Sequence, residues 1–407
     1  MSTYRIMLAD TPFPRSLRRT GGIMLAIGAI VFLLGGLGHP QYWWGGYLLG
    51  FVYAMGLSVT LVFFSALSYL VNAGWVAAIR RIPELLSTFV VFLPIAAVPL
   101  VVGALGGNLY EWMHSTDEHL HHGFKGFYLS QPFFWARLVF YALVWYTMYR
   151  VIVGNSIRQD TASDIEPTKR AWKLSAPMVL LYALTITFAS FDLVMTLEPH
   201  WFSTIFGVYS FAGHFVAALS LTMITMRMLD RGGYLGGIIS REHYHDVGKL
   251  MFAFTIFWTY VAFSQYFIIW YGNLPEETVF FAKRLQNGWE IFGWSSLFVH
   301  FIVPFLFLLR QDVKRKPQLV TLGAILLLVA HAIDLSWVIL PVFSAAHGEP
   351  YRLSWALVAS GWGAIVAMLG VLLIVAAWAF SRHSAVAYND PYLHESLEYH
   401  TGAYDPI

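Results

Sequence analysis

The sequence predicts an all-α, polytopic integral membrane protein of ten transmembrane helices, on three observations. Only 12% of its 407 residues are charged and 58% are hydrophobic, about half the charge of an ordinary soluble domain, which carries about 25%. Apolar runs of about 20 residues recur from end to end, each long enough to cross a bilayer as a helix. The basic residues gather on alternate connections between those runs.

The elements follow in order. Residues 1–20 are basic but lead into a full-length span with no small-residue cleavage site, so they read as a cytoplasmic segment and not a cleaved signal. Spans are expected at about 21–38, 46–73, 84–106, 131–153, 172–197, 202–228, 249–272, 288–310, 318–342 and 353–380. Several exceed the ~20 residues needed to cross, so tilt or extension beyond the bilayer is expected. Pro94 and Pro99 in the third span and Pro304 in the eighth should bend their helices.

Of the 25 Lys and Arg, twenty share one side of the membrane if the N-terminus is inside. Four (Lys125, Lys283, Arg284 and Arg352) fall on the other, and Arg137 lies within a span. Basic residues stay cytoplasmic, so both termini are expected inside. The tail, 381–407, is rich in Tyr and His; alone it would be disordered, and it is expected to lie against a partner subunit.

The chain has no cysteine. That excludes protein-ligated iron–sulfur clusters, covalently attached c-type haem, thiol catalysis and disulfides. Any redox chemistry must use another kind of cofactor or belong to a partner chain.

An internal repeat organises the spans. Asp192 to Pro199 in FDLVMTLEP and Asp334 to Pro341 in AIDLSWVILP both read Asp-Leu, five residues, then Pro, on helices four spans apart. GFVYAMG (Gly50 to Gly56) in span two is echoed by GVYSFAG (Gly207 to Gly213) in span six. Two parallel four-helix bundles, spans 2–5 and 6–9, with two flanking helices account for both echoes. The divisions are a first helix and outer turn (21–45), the two bundles (46–197 and 198–342), and a tenth helix (343–380). Seven residues at ~1.5 Å each put either Asp about 10 Å inside its terminal proline, in the outer half of the membrane.

Charge at such depth is costly, so ionisable residues in spans face the protein interior and mark function or helix pairing. Asp192, Glu198, His200 and His214 follow one another closely, and His331 precedes Asp334 by one turn. These six are candidates for a proton path, because carboxylates and imidazoles pass protons through ordered water. The alternative is that each acid bonds a neighbouring helix and holds the bundle together. Arg137 fits as the partner of Asp192 or Glu198, or as a snorkelling side chain. Glu290 and His300 in span eight are further candidates, the histidine equally at home as a packing residue.

A bis-histidine haem would need two of His214, His300 and His331 at matching depth, but His214 has no repeat partner, Leu57 standing there. The outer loop sets His114, His119, His121 and His122 among Glu111, Asp117 and Glu118. That spacing fits no common closed zinc site. An interfacial segment anchored by Tyr110, Trp112, Phe124 and Tyr128 fits better. The turn from Tyr271 to Trp289, with Lys283 and Arg284, reads as a docking surface for a peripheral partner or as a solvated loop.

SFDLVMTLEPHWFSTIFGVYSFAG, HDVGKLMFAFTIFWTYVAFSQYFIIWYGNLPEET and AIDLSWVILP resemble the ActF-type subunit of bacterial alternative complex III, in the NrfD-like (polysulfide reductase membrane subunit) superfamily. The resemblance covers nearly the whole chain. It implies a ten-helix subunit of a bacterial inner-membrane quinol oxidoreductase that delivers electrons to cytochrome c or another periplasmic acceptor. It further implies that this chain binds no redox cofactor itself. Haem c and iron–sulfur clusters would sit in partner subunits, beside an ActC-type paralogue with the better-supported quinol site. Lipids and the quinone pool complete the expected partners; nucleic acid is not among them. A role in assembly and transmembrane proton conduction follows, with Asp192 and Asp334 as the candidates chosen from the residues. One alternative is a second quinol site near the outer face, built on His214 and Asp192. Another is an autonomous ion- or proton-coupled transporter, which fits the repeat and the buried acids but not the resemblance.

Overall fold

In a computed structural model describing residues 4–344 and 351–400, the chain is helical, with no strand among the described residues. Ten helices are long and apolar enough to cross a membrane: Pro12–Gly35, Pro40–Leu70, Arg81–Leu105, Gln131–Gln159, Glu166–Leu197, Phe206–Arg231, Arg241–Gly272, Glu290–Leu309, Pro317–Ser344 and Trp355–Arg382, hereafter spans 1 to 10. The protein is thus an all-α, multi-pass membrane protein.

Each expected apolar run is a helix, and the differences lie at the ends. Span 1 starts at Pro12 and not at 21, so the segment 1–20 is partly helical. Span 7 starts at Arg241 and not at 249. Charged residues such as Arg15, Arg18 and Glu242 lower hydropathy without opposing helix formation, so each helix runs on past the apolar stretch. Proline at the first helical position of span 1 costs no hydrogen bond. In span 7 Ser240 and His243 cap each other reciprocally.

Spans 2–5 pack among themselves, as do spans 6–9, and the two groups meet where spans 2 and 5 lie against span 6. Spans 1 and 10 pack along each other, with span 10 against span 2. Gly21, Gly28 and Gly35, seven residues apart, lie on Gly370, Gly363 and Ser360 of span 10. A Cβ on Gly28 would stand 2.4 Å from the Ala367 nitrogen. Lipid supplies no hydrophobic drive between helices, so close approach of small residues carries this pairing.

Two of the three prolines follow irregular helix, while Pro99 lies inside the regular α-helix Leu93–Leu105. Span 3 tightens to a 3-10 helix over Ser87–Phe92, just before Pro94. Span 8 widens to a π-helix over Ser296–Ile302, just before Pro304. Pro304 has no N–H for the His300 carbonyl, so the regular ladder fails there.

The C-terminal tail, expected to be disordered alone, lies on its own chain from Ser384 to Tyr399. Asp390 ion-pairs with buried Arg80. Ser396 Oγ donates to the Trp75 carbonyl at 2.6 Å and accepts from the Ala78 N–H at 3.1 Å. Tyr399 donates to Asp246 at 2.8 Å. These are single polar contacts between distant segments, which leave no hydropathy pattern. Residues 401–407 of the expected tail lie outside the described residues.

Candidate functional site

The two repeat-related acids are both buried, Asp192 fully and Asp334 at 2% exposure, but their partners differ. Asp192 sits in the last helical turn of span 5, where Thr196 folds back onto its carbonyl at 2.6 Å. From span 4, Arg137 Nε and Nη2 each donate to one carboxylate oxygen at 2.8 Å, and Tyr141 OH adds a third bond at 2.7 Å. Arg137 Nη1 donates to the Tyr128 carbonyl at 2.8 Å, and its guanidinium lies over the Tyr128 ring, 3.9 Å from the centroid. A bidentate guanidinium fork of this kind is the strongest carboxylate clamp available to side chains. Of the two carboxylates expected for Arg137, the structure chooses Asp192.

Asp334, in span 9, accepts a short hydrogen bond from Tyr209 OH of span 6. Among the described residues no cation pairs with it. One turn earlier, His331 Nε2 lies 2.9 Å from His214 Nδ1. The His331 ring stacks on Tyr53 at 5.6 Å, and its Nδ1 has no hydrogen-bond partner. His300 stacks on Trp258 at 3.8 Å, 6.3 Å from the His331 ring, with neither nitrogen bonded. Three sequence candidates on spans 6, 8 and 9 therefore form one buried imidazole cluster. Glycine makes room for it: a Cβ on Gly56 would stand 2.2 Å from His214, and one on Gly213 2.8 Å from His331. These two glycines close the echoed GFVYAMG and GVYSFAG segments.

Two spaces adjoin the cluster. A pocket of about 10 Å³, the size of one water, lies between Ser190, Tyr209, Ser210 and His214. A crevice of about 510 Å³ opens between spans 7 and 8. Phe263 and Trp294, each 60% exposed, stand at its mouth, while Asp334, Tyr209 and Ser296 line its buried end. Ser296 Oγ has no hydrogen-bond partner there.

The remaining candidates part from these groups. Asp192 and His214 bond elsewhere and do not form the quinone-binding pair read from the sequence. Glu198, at the outer turn, is held by Lys283 at 2.8 Å and Arg284 at 2.6 Å. Burial pushes this carboxyl up, but Arg284 and then Lys283 outweigh it and hold it below its ordinary value. Burial lowers Arg284 despite Glu198, yet a guanidinium keeps its proton at any working pH. Both cations of the expected docking turn thus serve an internal ion-pair cluster. His200 is exposed beside Asp117 at 3.3 Å, a pair of little energetic weight. Glu290 accepts from the Gly288 N–H at 2.8 Å and fixes a turn. Among the described residues, no three His, Asp or Glu side chains gather as a metal site. The outer loop instead forms short helices with Phe124 and Phe127 exposed.

The sequence reading missed Tyr209, Tyr141, Trp258, Ser296 and Glu84. Tyr141 had a signal, standing one turn beyond Arg137 on the same helix face; so did Tyr209, inside the GVYSFAG echo. Comparison of the chain with known protein families finds no matching family, and comparison with curated proteins finds no matching relative.

Proposed function

We propose that this chain is a membrane subunit of a quinol:acceptor oxidoreductase of the alternative complex III kind, holding no redox group itself, and that it conducts protons through spans 6–9. One observation carries the conducting role: Asp334–Tyr209 and His214–His331 are two buried proton-exchanging pairs separated by a water-sized pocket. Tyrosine, water and imidazole each both donate and accept, so a proton can pass from the carboxyl through the hydroxyl and the water to the histidines. Such groups are rare within spans and mark proton relays and ion pathways. No cation holds Asp334 in one charge state, which leaves it able to cycle.

The test uses the intact complex in liposomes. Asp334→Asn should leave assembly and quinol oxidation near normal while abolishing proton translocation; unchanged translocation removes the conducting role. Copurification with haem- and cluster-bearing subunits checks the assignment to a complex, whereas transport by the isolated chain would instead identify an autonomous transporter.

The crevice favours a second reading, a quinol site. Its walls are aromatic, its mouth opens beside the exposed Phe263 and Trp294, and its polar groups converge at the buried end, as small-molecule sites require. Asp334, Tyr209 and Ser296 are the residues that would hold a hydroxylated ring. Ser296→Phe, which fills that end, should lower quinone retained by the purified complex; unchanged retention counts against this reading.

A further inference from the structure

The first bundle carries its own line of polar groups. Arg137, Tyr141, Trp145, Tyr149 and Ser156 share one face of span 4, at spacings of four and then seven residues. Each bonds a neighbouring span: Arg137 and Tyr141 to Asp192, Trp145 to Thr185 at 2.9 Å, Tyr149 to Thr88 at 3.3 Å, and Ser156 to Glu84 at 2.6 Å. From Arg137 to Ser156 the helix rises about 28 Å, close to the ~30 Å thickness of hydrocarbon. The line therefore reaches from the outer acid to the opposite face.

Its far end is Glu84, fully buried at the start of span 3. Glu84 Oε2 receives Ser156 and, at 3.0 Å, Arg81 Nε; Oε1 has no partner. Arg81 also clamps Asp160 at 2.7 and 3.0 Å, while Arg80 is committed to Asp390 and lies over the Tyr69 ring. Two guanidiniums thus meet three carboxylates. The other groups around Glu84 are Tyr69, Tyr149 with Arg150 beside it, and, beside Arg81 and Asp160, His383 with Arg382. Neither phenol adds positive charge, and burial followed by Arg81 lowers the His383 imidazole from its usual value. Neither Arg150 nor Arg382 forms an ion pair with the three acids, so within the directly paired cluster one negative charge is left over, and an unbalanced charge at this depth is costly.

We propose that Glu84 is a proton-binding site at the cytoplasmic end of the first bundle, taking its proton from inner-face water beside the partly exposed Asp160. The proton adds to Oε1, turning the carboxylate into a neutral acid and balancing the two guanidiniums; its release restores the anion. The orientation rests on the charge asymmetry of the loops, and the purpose of the site rests on the proton-conducting role proposed above.

Infrared difference spectra of the intact complex between acidic and alkaline buffer test the site directly. A titrating carboxylic-acid carbonyl band is expected in the native protein, lost in Glu84→Gln and retained at a shifted frequency in Glu84→Asp. A carboxylic-acid region identical in the native protein and Glu84→Gln overturns the proposal. Should Glu84→Gln fail to assemble, Ser156→Ala keeps the acid and removes its hydroxyl donor; the band must then shift, and an unmoved band overturns the site. Loss of the band in Glu84→Gln, combined with normal translocation in Asp334→Asn, leaves Glu84 standing and removes the conducting role of the second bundle. The reverse combination removes Glu84 alone.

Discussion

Asp192 and Asp334 occupy matching places in the two bundles and lead opposite chemical lives. Asp192 is locked between Arg137 and Tyr141, its charge balanced and its oxygens filled. Asp334 has Tyr209, no cation, and an open crevice beside it. The difference traces to the facing helices. Phe133-Phe134-Trp135-Ala136-Arg137-Leu138 in span 4 is matched by Phe292-Gly293-Trp294-Ser295-Ser296-Leu297 in span 8, so serine stands where the first bundle has arginine. Four residues on, His300 stands where the first bundle has Tyr141. A repeat carries the backbone position of an acid; the side chain opposite decides whether that acid is a fastener or a titratable group.

The comparison can be broken directly. The largest effect is expected from Ser296→Arg, which writes the first bundle's cation into the second. The new guanidinium should pair with Asp334 and abolish proton translocation while the complex still assembles; persistent translocation would show that pairing is not what separates the two acids. Next, Arg137→Leu leaves Asp192 buried without its cation and should lower stability by about 3–5 kcal/mol, read from unfolding in detergent. Arg137→Leu combined with Asp192→Leu should recover most of that loss. Smaller again, Gly56→Ala and Gly213→Ala push a methyl into His214 and His331, costing about 1–3 kcal/mol by overpacking. The first should cost more, because its Cβ falls closer to the imidazole. The smallest effect concerns Glu198. Its folded value is depressed by Arg284 and Lys283, so its contribution is present above the ordinary carboxylate value and is lost as pH falls through the lower folded one. Glu198→Gln should flatten that acid limb of the stability curve.

The spans were legible because a bilayer demands unbroken apolar runs, and ten of them stand in the chain. The helical extensions before spans 1 and 7 were not, since Arg15, Arg18 and Glu242 look like loop by hydropathy yet continue a helix. Asp192, Asp334, His214, His300 and His331 were found because polar residues in apolar runs stand out. Which of them meet was hidden. Arg137 and Asp192 are 55 residues apart, Tyr209 and Asp334 125, and helix rotation sets such contacts. Glu84 escaped notice because RRIPELL reads as an ordinary basic flank, and only the fold tucks it under the tail. Glu198 and His200 were drawn in by sequence proximity to Asp192, and the turn between spans 5 and 6 sends each to a different partner; Glu290, picked out within span 8, fixes a local turn.

The glycine seam between spans 1 and 10 has a consequence for how the molecule is made. Its two halves are separated along the chain by the eight other spans. Until span 10 inserts, the notched face of span 1 lacks the small residues that fit it. The seam is therefore a late fastener, formed only once span 10 has been inserted, and the Ala385 N–H donates to the Ile6 carbonyl just beyond it. A chain truncated before span 10 would leave that face as an unpaired small-residue stripe, the feature by which helices in a membrane find partners.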